Sequence, residues 1–384
     1  MRHLFAPRAE EFQRRMADER IDLVLLTDPD AVYYMGSYWG YLGVEFGRPT
    51  IVAIPREGQP TLITPGMEAE MARQMSWIED VREWTDGVAG EWTTPLREVL
   101  ELYRPASLGV EQYHIPGLVR EFLGEEFPQV GQRDASRILG EMRMIKSPEE
   151  LHIMRQAGQV AVAMAQAAEQ AVGEGVPEYE VALAVLSGGT RKAAEYLSDE
   201  GIDRLVSPTI YNLQAMQSGR DTSMVHRRST VRRLRRGDPF YLCFCGMANF
   251  NHYKLGFDRE YFIGSVTDEQ AQIHELALSA QAAALDTIRP GVLAEDVHAA
   301  AEAVYREAGF EPGYRTGRAI GCSFLEKPQL KNGDKTPLQA GMTFSVDGGI
   351  TVAGEFGARI GDSVVVTETG FECLTPYPRG LRLL

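Results

Sequence analysis

Cysteine is scarce in this chain: there are four among 384 residues, Cys243, Cys245, Cys322 and Cys373. So few in so long a chain exclude a disulfide-built scaffold. No second cysteine pair or histidine pair stands at zinc spacing near Cys243 and Cys245, so the expectation is reduced thiols in a buried strand, 241–245. Net positive charge is lacking altogether. The 39 lysines and arginines face 54 aspartates and glutamates, a formal net charge of -15. That balance argues against nucleic acid as a partner. No run of about 20 apolar residues offers a membrane span, and residues 1–16 contain no apolar core of the secretory-signal type. The expectation is a cytoplasmic protein with neither a membrane nor a nucleic-acid partner.

What the chain does have is 44% hydrophobic residues, enough for large cores and, at this length, for two domains. The first third alternates helical and strand patterns. A charged amphipathic helix over 8–20 precedes short apolar strands at 21–26, 50–54 and 60–64, each ending in breakers. Ser147, Pro148 and Glu150 form an N-cap, a first-turn proline and a capping box, which start a helix. A second helix is expected over 178–196, weakened by Gly188-Gly189. Strands follow near 240–245, 253–263 and 343–347, with further helices near 268–288 and 294–308. The fold class is α+β: an N-terminal α/β domain over 1–140 and a second domain over 141–384, the latter with a duplicated helix-pair-and-strand order. The basic cluster Arg227-Arg228 and Arg232–Arg236 ends in Gly-Asp-Pro and reads as a solvated loop.

These segments, taken with their spacing, resemble the pita-bread family of prolidases, methionine aminopeptidases and creatinase, and in detail creatinase. Arg143-Met-Ile-Lys-Ser147, Val176-Pro-Glu-Tyr-Glu-Val-Ala-Leu183, Gln217-Ser-Gly219 with Thr222 and His226, and Arg236-Gly-Asp238 carry the likeness. So do Tyr314-Arg-Thr316, Gly341-Met342, Gly357-Ala-Arg-Ile360 and, near the start, Phe46-Gly-Arg-Pro49. The likeness spans nearly the whole chain and implies that the second domain is a catalytic pita-bread domain. Peptidases of that family bind two divalent ions through two Asp, one His and two Glu. The corresponding positions here are Cys243, Gly256, Arg318, Asp347 and Gly361, so only Asp347 keeps a carboxylate. A dinuclear centre needs several O or N donors for each ion. The expectation is no metal and no cofactor.

Without metals, a side chain must activate water, and histidine is the default at neutral pH. The resemblance makes His226 the base that takes a proton from water and returns it to the leaving nitrogen. It makes Asp258 and Asp347 the carboxylates that converge on a cationic substrate group; standing alone, Asp258 reads as a salt-bridged strand residue. Glu260 shares the strand face of Asp258 through the pleat and is an alternative to it. Glu326 keeps the carboxylate of a family His-Glu motif whose histidine is Leu325. Arg318 either binds a substrate carboxylate or neutralises Asp347. Phe46 and Arg48 are substrate-binding residues by the same resemblance. It implies a homodimer in which they enter the neighbouring subunit's site, with Arg48 clamping a carboxylate.

The function implied is hydrolysis of a C–N bond in a small zwitterionic guanidino or amidine compound, a creatinase-like amidinohydrolase reaction. Opening of a cyclic amidine, as by ectoine hydrolase, is an alternative, since aspartates shorten two anchors and Arg318 adds a charge. A non-catalytic pita-bread binding module is another alternative. A metal-dependent Xaa-Pro dipeptidase fits less well, given the missing ligands.

Overall fold

A computed structural model describes residues 2–202, 204–210, 215–244 and 250–384, with Cys245 and the expected end of its strand outside them. The chain forms two compact units, Met1–Met142 and Arg143–Leu384.

The first unit is built on strands β1 (Leu23–Leu26), β2 (Ile51–Pro55), β3 (Thr61–Pro65), β4 (Asp80–Trp84), β5 (Ser107–Val110) and β6 (Gly131–Asp134). They lie in the order β4-β3-β2-β1-β5-β6. β1–β2 and β2–β3 are antiparallel, and the remaining pairs parallel. β1, β2 and β3 are buried at every position, as expected where helices cover both faces of a sheet. Those helices are α1 (Arg2–Asp18), α2 (Pro29–Gly36), α3 (Tyr41–Phe46), α4 (Ala69–Met75), α5 (Thr93–Tyr103), α6 (Gly117–Glu126) and α7 (Ser136–Arg143). α1 starts earlier than its charge pattern predicts, with Pro7 inside it.

The second unit opens on α8 (Pro148–Ala171) and α9 (Glu178–Asp199). The capping box at Ser147 and Glu150 is formed in both directions. Gly188 and Gly189 do not interrupt α9. A Cβ at Gly189 would sit 2.6 Å from Met164, and one at Gly188 2.7 Å from Ala167. The pair therefore lets α9 approach α8 closely, and this packing outweighs its low helix propensity. α10 (Asp268–Thr287) and α11 (Ala294–Glu307) form the second helix pair.

The sheet of this unit has nine strands. Its strands are β7 (Ala215–Ser218), β8 (Pro239–Cys243), β9 (Asp258–Phe262), β10 (Gly317–Ala319), β11 (Glu326–Leu330), β12 (Thr343–Val352), β13 (Phe356–Val366), β14 (Phe371–Cys373) and β15 (Arg382–Leu383). The main order is β11-β10-β12-β13-β9-β8-β7, with β14 on β13 and β15 on β9. The strand expected over 253–263 begins only at Asp258. Before it, Ser363 Oγ takes over both backbone groups of Gly256, accepting from its N–H at 3.0 Å and donating to its carbonyl at 2.7 Å. A side chain thus replaces the ladder there. β12 is longer than expected and forms a hairpin with β13, a strand not expected from the sequence, through Gly354, which has φ 76°.

The basic cluster is not simply solvated. Arg227 pairs with buried Glu178 at 2.6 Å and Arg232 with Asp238 at 2.7 Å, so two of its charges are structural. Cys243 is disulfide-bonded rather than a reduced thiol, whereas Cys322 and Cys373 are free. No helix among the described residues is long and apolar enough to cross a membrane.

A short 3₁₀ turn, Gly219–Ser223, docks on β13, where the Gly357 N–H donates to Thr222 Oγ1 at 3.0 Å. A Cβ at Gly357 would lie 2.6 Å from the Thr222 carbonyl oxygen. Gly357→Ala should therefore push the turn off the strand and cost about 1–3 kcal/mol. Chemical denaturation of the variant against wild type measures this, and equal stability would show that the turn is not held there.

Candidate active site

Ladder register gathers the polar residues of the second unit on one face. Asp347 pairs with Gly361 across β12–β13, and Gly361 pairs with Asp258 across β13–β9. Directly paired residues share a face, so both carboxylates project on the side of Gly361, where no side chain separates them. A Cβ on Gly361 would lie 2.9 Å from Asp258 Oδ2 and 3.0 Å from Asp347 Oδ1. One row further, Gln217 pairs with Tyr241 and Tyr241 with Glu260, which puts Glu260 on the face of Asp258. In the row on the other side, Arg318 pairs with Ser345.

Arg318 neutralises Asp347. Its Nη1 donates to Asp347 Oδ2 at 2.7 Å, and Ser345 Oγ donates to Oδ1 at 2.9 Å. The guanidinium is 3% exposed and also lies 4.1 Å from the centre of the Phe324 ring, a cation–π contact that helps fix it. Of the two readings for Arg318, the ion pair is the one formed. Asp347 keeps a third of its side chain open to solvent.

Asp258 is buried, and this loss of solvent together with the charge of Asp347 raises its pKa to about 7, against smaller opposing effects of Arg318, Arg359 and a hydrogen bond from Tyr241. Asp258 therefore titrates near neutral pH beside an aspartate that is ion-paired with arginine. Glu260 is raised well above its ordinary value, chiefly by burial, with the guanidinium and backbone N–H of Arg359 pulling the other way. Neither of its oxygens takes a well-formed hydrogen bond, nor does Oε1 of fully buried Gln217. One row beside the aspartates therefore presents a buried carboxyl and a buried amide oxygen whose hydrogen-bonding capacity is not filled.

Asp258 is not salt-bridged to its neighbour. Arg259 points to the opposite face, where it meets Asp362 at 2.7 Å and is 2% exposed. Gln281 and Arg379 bind the same carboxylate at 3.1 and 2.7 Å.

The five positions that hold metals in the resembled peptidases do not fit an ion. Cys243 is disulfide-bonded, and Gly256 and Gly361 supply no donor side chain. A side chain at Gly256 would meet Ser345 Oγ at 2.1 Å and Arg318 Nη2 at 3.3 Å. The guanidinium of Arg318 occupies this space with a positive charge. Among the described residues no three His, Cys, Asp or Glu side chains are grouped to hold a metal ion.

His226 is exposed in the turn after Gly219–Ser223, and among the described residues no hydrogen bond or ion pair joins it to the aspartates. Glu326 is buried and bound to Lys146 at 2.6 Å, and also accepts from the Ser323 N–H at 3.0 Å. Its carboxylate is thus ion-paired within the second unit. In the first unit, Arg48 is ion-paired with Asp86. Phe46 is 63% exposed beside Tyr41, their ring centres 5.7 Å apart. Three contributors were not singled out in the sequence: Tyr241, Ser345 and Gln217. Ser345 stands two residues before Asp347 and Tyr241 directly across from Glu260, so period two and ladder register would have found these, whereas Gln217 lies one strand further, across from Tyr241.

Residues 152–368 match the model of metallopeptidase family M24, and residues 8–145 match the creatinase/prolidase N-terminal domain. Agropine synthesis cyclase of Rhizobium rhizogenes is 31% identical, with 98% of this chain and 97% of that protein covered. Creatinase of a Bacillus species is 28% identical, with 97% and 92% covered. The crystal structure of the prolidase from Pyrococcus horikoshii superposes with a TM-score of 0.80 at 26% identity, covering 97% and 98% of the two chains.

The proton on Asp258 makes a thermodynamic prediction. A carboxyl group whose folded pKa is raised stabilises the fold fully below its unfolded value, near 4. That contribution is lost as pH rises towards about 7, each unit of displacement being worth about 1.4 kcal/mol. Unfolding free energies at pH 5 and pH 7.5 should therefore differ less in Asp258→Asn than in wild type. An unchanged pH slope in the variant would contradict the assignment.

Proposed function

The chain belongs to metallopeptidase family M24 and carries its creatinase/prolidase N-terminal domain; on that basis we propose that it is a metal-independent hydrolase of a C–N bond in a small zwitterionic guanidino or amidine compound. The observation that carries this reading is the pair Asp258 and Asp347 meeting over Gly361 where the family's metals would bind. Arg318 supplies the positive charge there, so a donor set for a catalytic metal is missing.

The substrate class follows from the donors that the site lacks. Gln217 Oε1 is a buried acceptor without a partner, and a buried acceptor favours a ligand that brings N–H groups. A guanidino or amidine group brings several, and its charge suits Asp347. In the proposed reaction, His226 takes a proton from water as the water oxygen bonds to the central carbon. Asp258 then gives its proton to the departing nitrogen as the C–N bond breaks. The sequence assigned both transfers to His226; the proton held by Asp258 near neutrality supports dividing them. A second reading is ring opening or closure, favoured by the whole-length likeness to a protein named a cyclase.

We also propose a homodimer in which Phe46 and Arg48 of one subunit complete the site of the other. The exposure of Phe46 and the half-open Arg48 side chain support this. Binding would exchange Asp86 for the substrate carboxylate on Arg48.

Protein dialysed against a strong chelator should release urea or a new amine from a panel of small guanidino, amidine and cyclic amidine zwitterions. Activity that disappears on chelation and returns with manganese, cobalt or zinc would overturn metal independence and restore the dipeptidase reading.

Subunit sharing has its own test. His226→Ala should lower kcat by roughly 10²–10⁴-fold, and Arg48→Ala should chiefly raise KM, by about ten- to 150-fold for a lost charge-assisted contact. Mixed together, the two variants should form heterodimers with one site carrying both defects and the other neither, and activity should recover. If mass analysis shows exchange and no activity returns, Arg48 does not serve the neighbour's site.

A further inference from the structure

The segment that carries His226 is closed at its neck by a carboxylate that the proposed reaction does not use. Glu178, in the first turn of α9, is 0% exposed. On one side it accepts from Ser218 Oγ at 2.6 Å. On the other it accepts from Arg227 Nη2 and Nη1 at 2.6 and 2.9 Å, and from the N–H and Oγ1 of Thr230, both at 2.8 Å. Burial alone would raise the pKa of Glu178, but the hydrogen bonds from Arg227, Ser218 and Thr230 outweigh it and hold the group below its ordinary value. A buried carboxylate is retained at such a place only when its donors are complete.

Two further ties orient the segment. The side-chain amide of Gln217 donates to the carbonyl of Met224, two residues before His226. Gln217 belongs to the row that contains Tyr241 and Glu260, so this tie holds the segment to the face that carries the aspartates. Thr222 fastens it to β13 at Gly357, four residues and about 13 Å along the strand from Gly361. Arg227, the residue after His226, is also 3.3 Å from Asp221 within the segment. Met224, Val225 and His226 are exposed between these ties. An exposed imidazole on a turn fastened at so many points has lost most of its conformational freedom before any ligand arrives.

We infer that Glu178 is a positioning residue for His226. It joins the two ends of the Ser218–Thr230 segment and so holds the imidazole at a fixed place on that turn. This rests on His226 being the base of the proposed reaction. Glu178 itself touches no reacting atom.

Glu178→Gln removes the charge at constant size, and Arg227→Lys keeps a charge while losing the two-pronged contact. Both are compared with wild type in the full-length protein, by hydrogen–deuterium exchange and by kinetics on the compound found in the screen. Exchange over 218–230 should quicken, and kcat should fall roughly ten- to 100-fold with KM nearly unchanged. In a His226→Ala background, Glu178→Gln should produce no further loss of kcat, because the two act through one group. A full multiplicative loss in that background would make Glu178 a general structural residue and overturn the inference. So would a wild-type kcat in both single variants while His226→Ala is impaired. A wild-type rate in His226→Ala itself would overturn the proposed base, and this inference with it. If Glu178→Gln does not fold, Arg227→Lys and Ser218→Ala are read by the same comparison.

Discussion

Two carboxylates can project over one backbone position only if the residue beneath has no side chain and something settles their mutual repulsion. Gly361 meets the first condition, since any Cβ there would lie about 3 Å from both aspartates. Arg318 and the proton on Asp258 meet the second. The arginine is ion-paired with Asp347, and burial together with the charge of Asp347 raises the pKa of Asp258 to about 7. The rest of the site depends on this arrangement. Ser345 and Tyr241 complete its hydrogen bonds, and Glu260 and Gln217 continue the same face one row on.

The arginine also stands at a position where the resembled peptidases hold metal. A dinuclear centre holds negative ligands together by placing cations among them. Here the cation is covalently part of β10, held by one carboxylate and the face of Phe324. It cannot dissociate, and it carries a single charge, so fewer carboxylates are needed to balance it. The losses at Gly256 and Gly361 are then consistent with the presence of Arg318, because their missing side chains leave room for it and for the aspartates.

Much of this was legible in the sequence because local signals were strong. Ser147 to Glu150 starts a helix through its own side chains, and the pleat of β9 puts Asp258 and Glu260 on one face without knowledge of its neighbours. What escaped depended on non-local partners. Gly188-Gly189 looks like a helix breaker until Met164 and Ala167 are seen to need the space. The strand expected from Tyr253 starts late because Ser363, over a hundred residues away, captures Gly256. Arg227 reads as a surface charge until Glu178 is found beneath it, and Glu326 reads as a site carboxylate until Lys146 is found against it.

The back of the sheet supplies a last consequence. Arg259, Asp362, Gln281 and Arg379 clamp β9 and β13 together from the side away from the aspartates. Those two strands meet through a single ladder pair, Gly361 with Asp258, so their alignment owes much to this clamp. Structural integrity and chemistry are thereby placed on opposite surfaces of the same strands. Residues on the reactive surface can be exchanged without dismantling the layer that carries them, whereas the reverse surface has no such freedom. A scaffold divided in this way can change the residues of one surface while its architecture stays as it was.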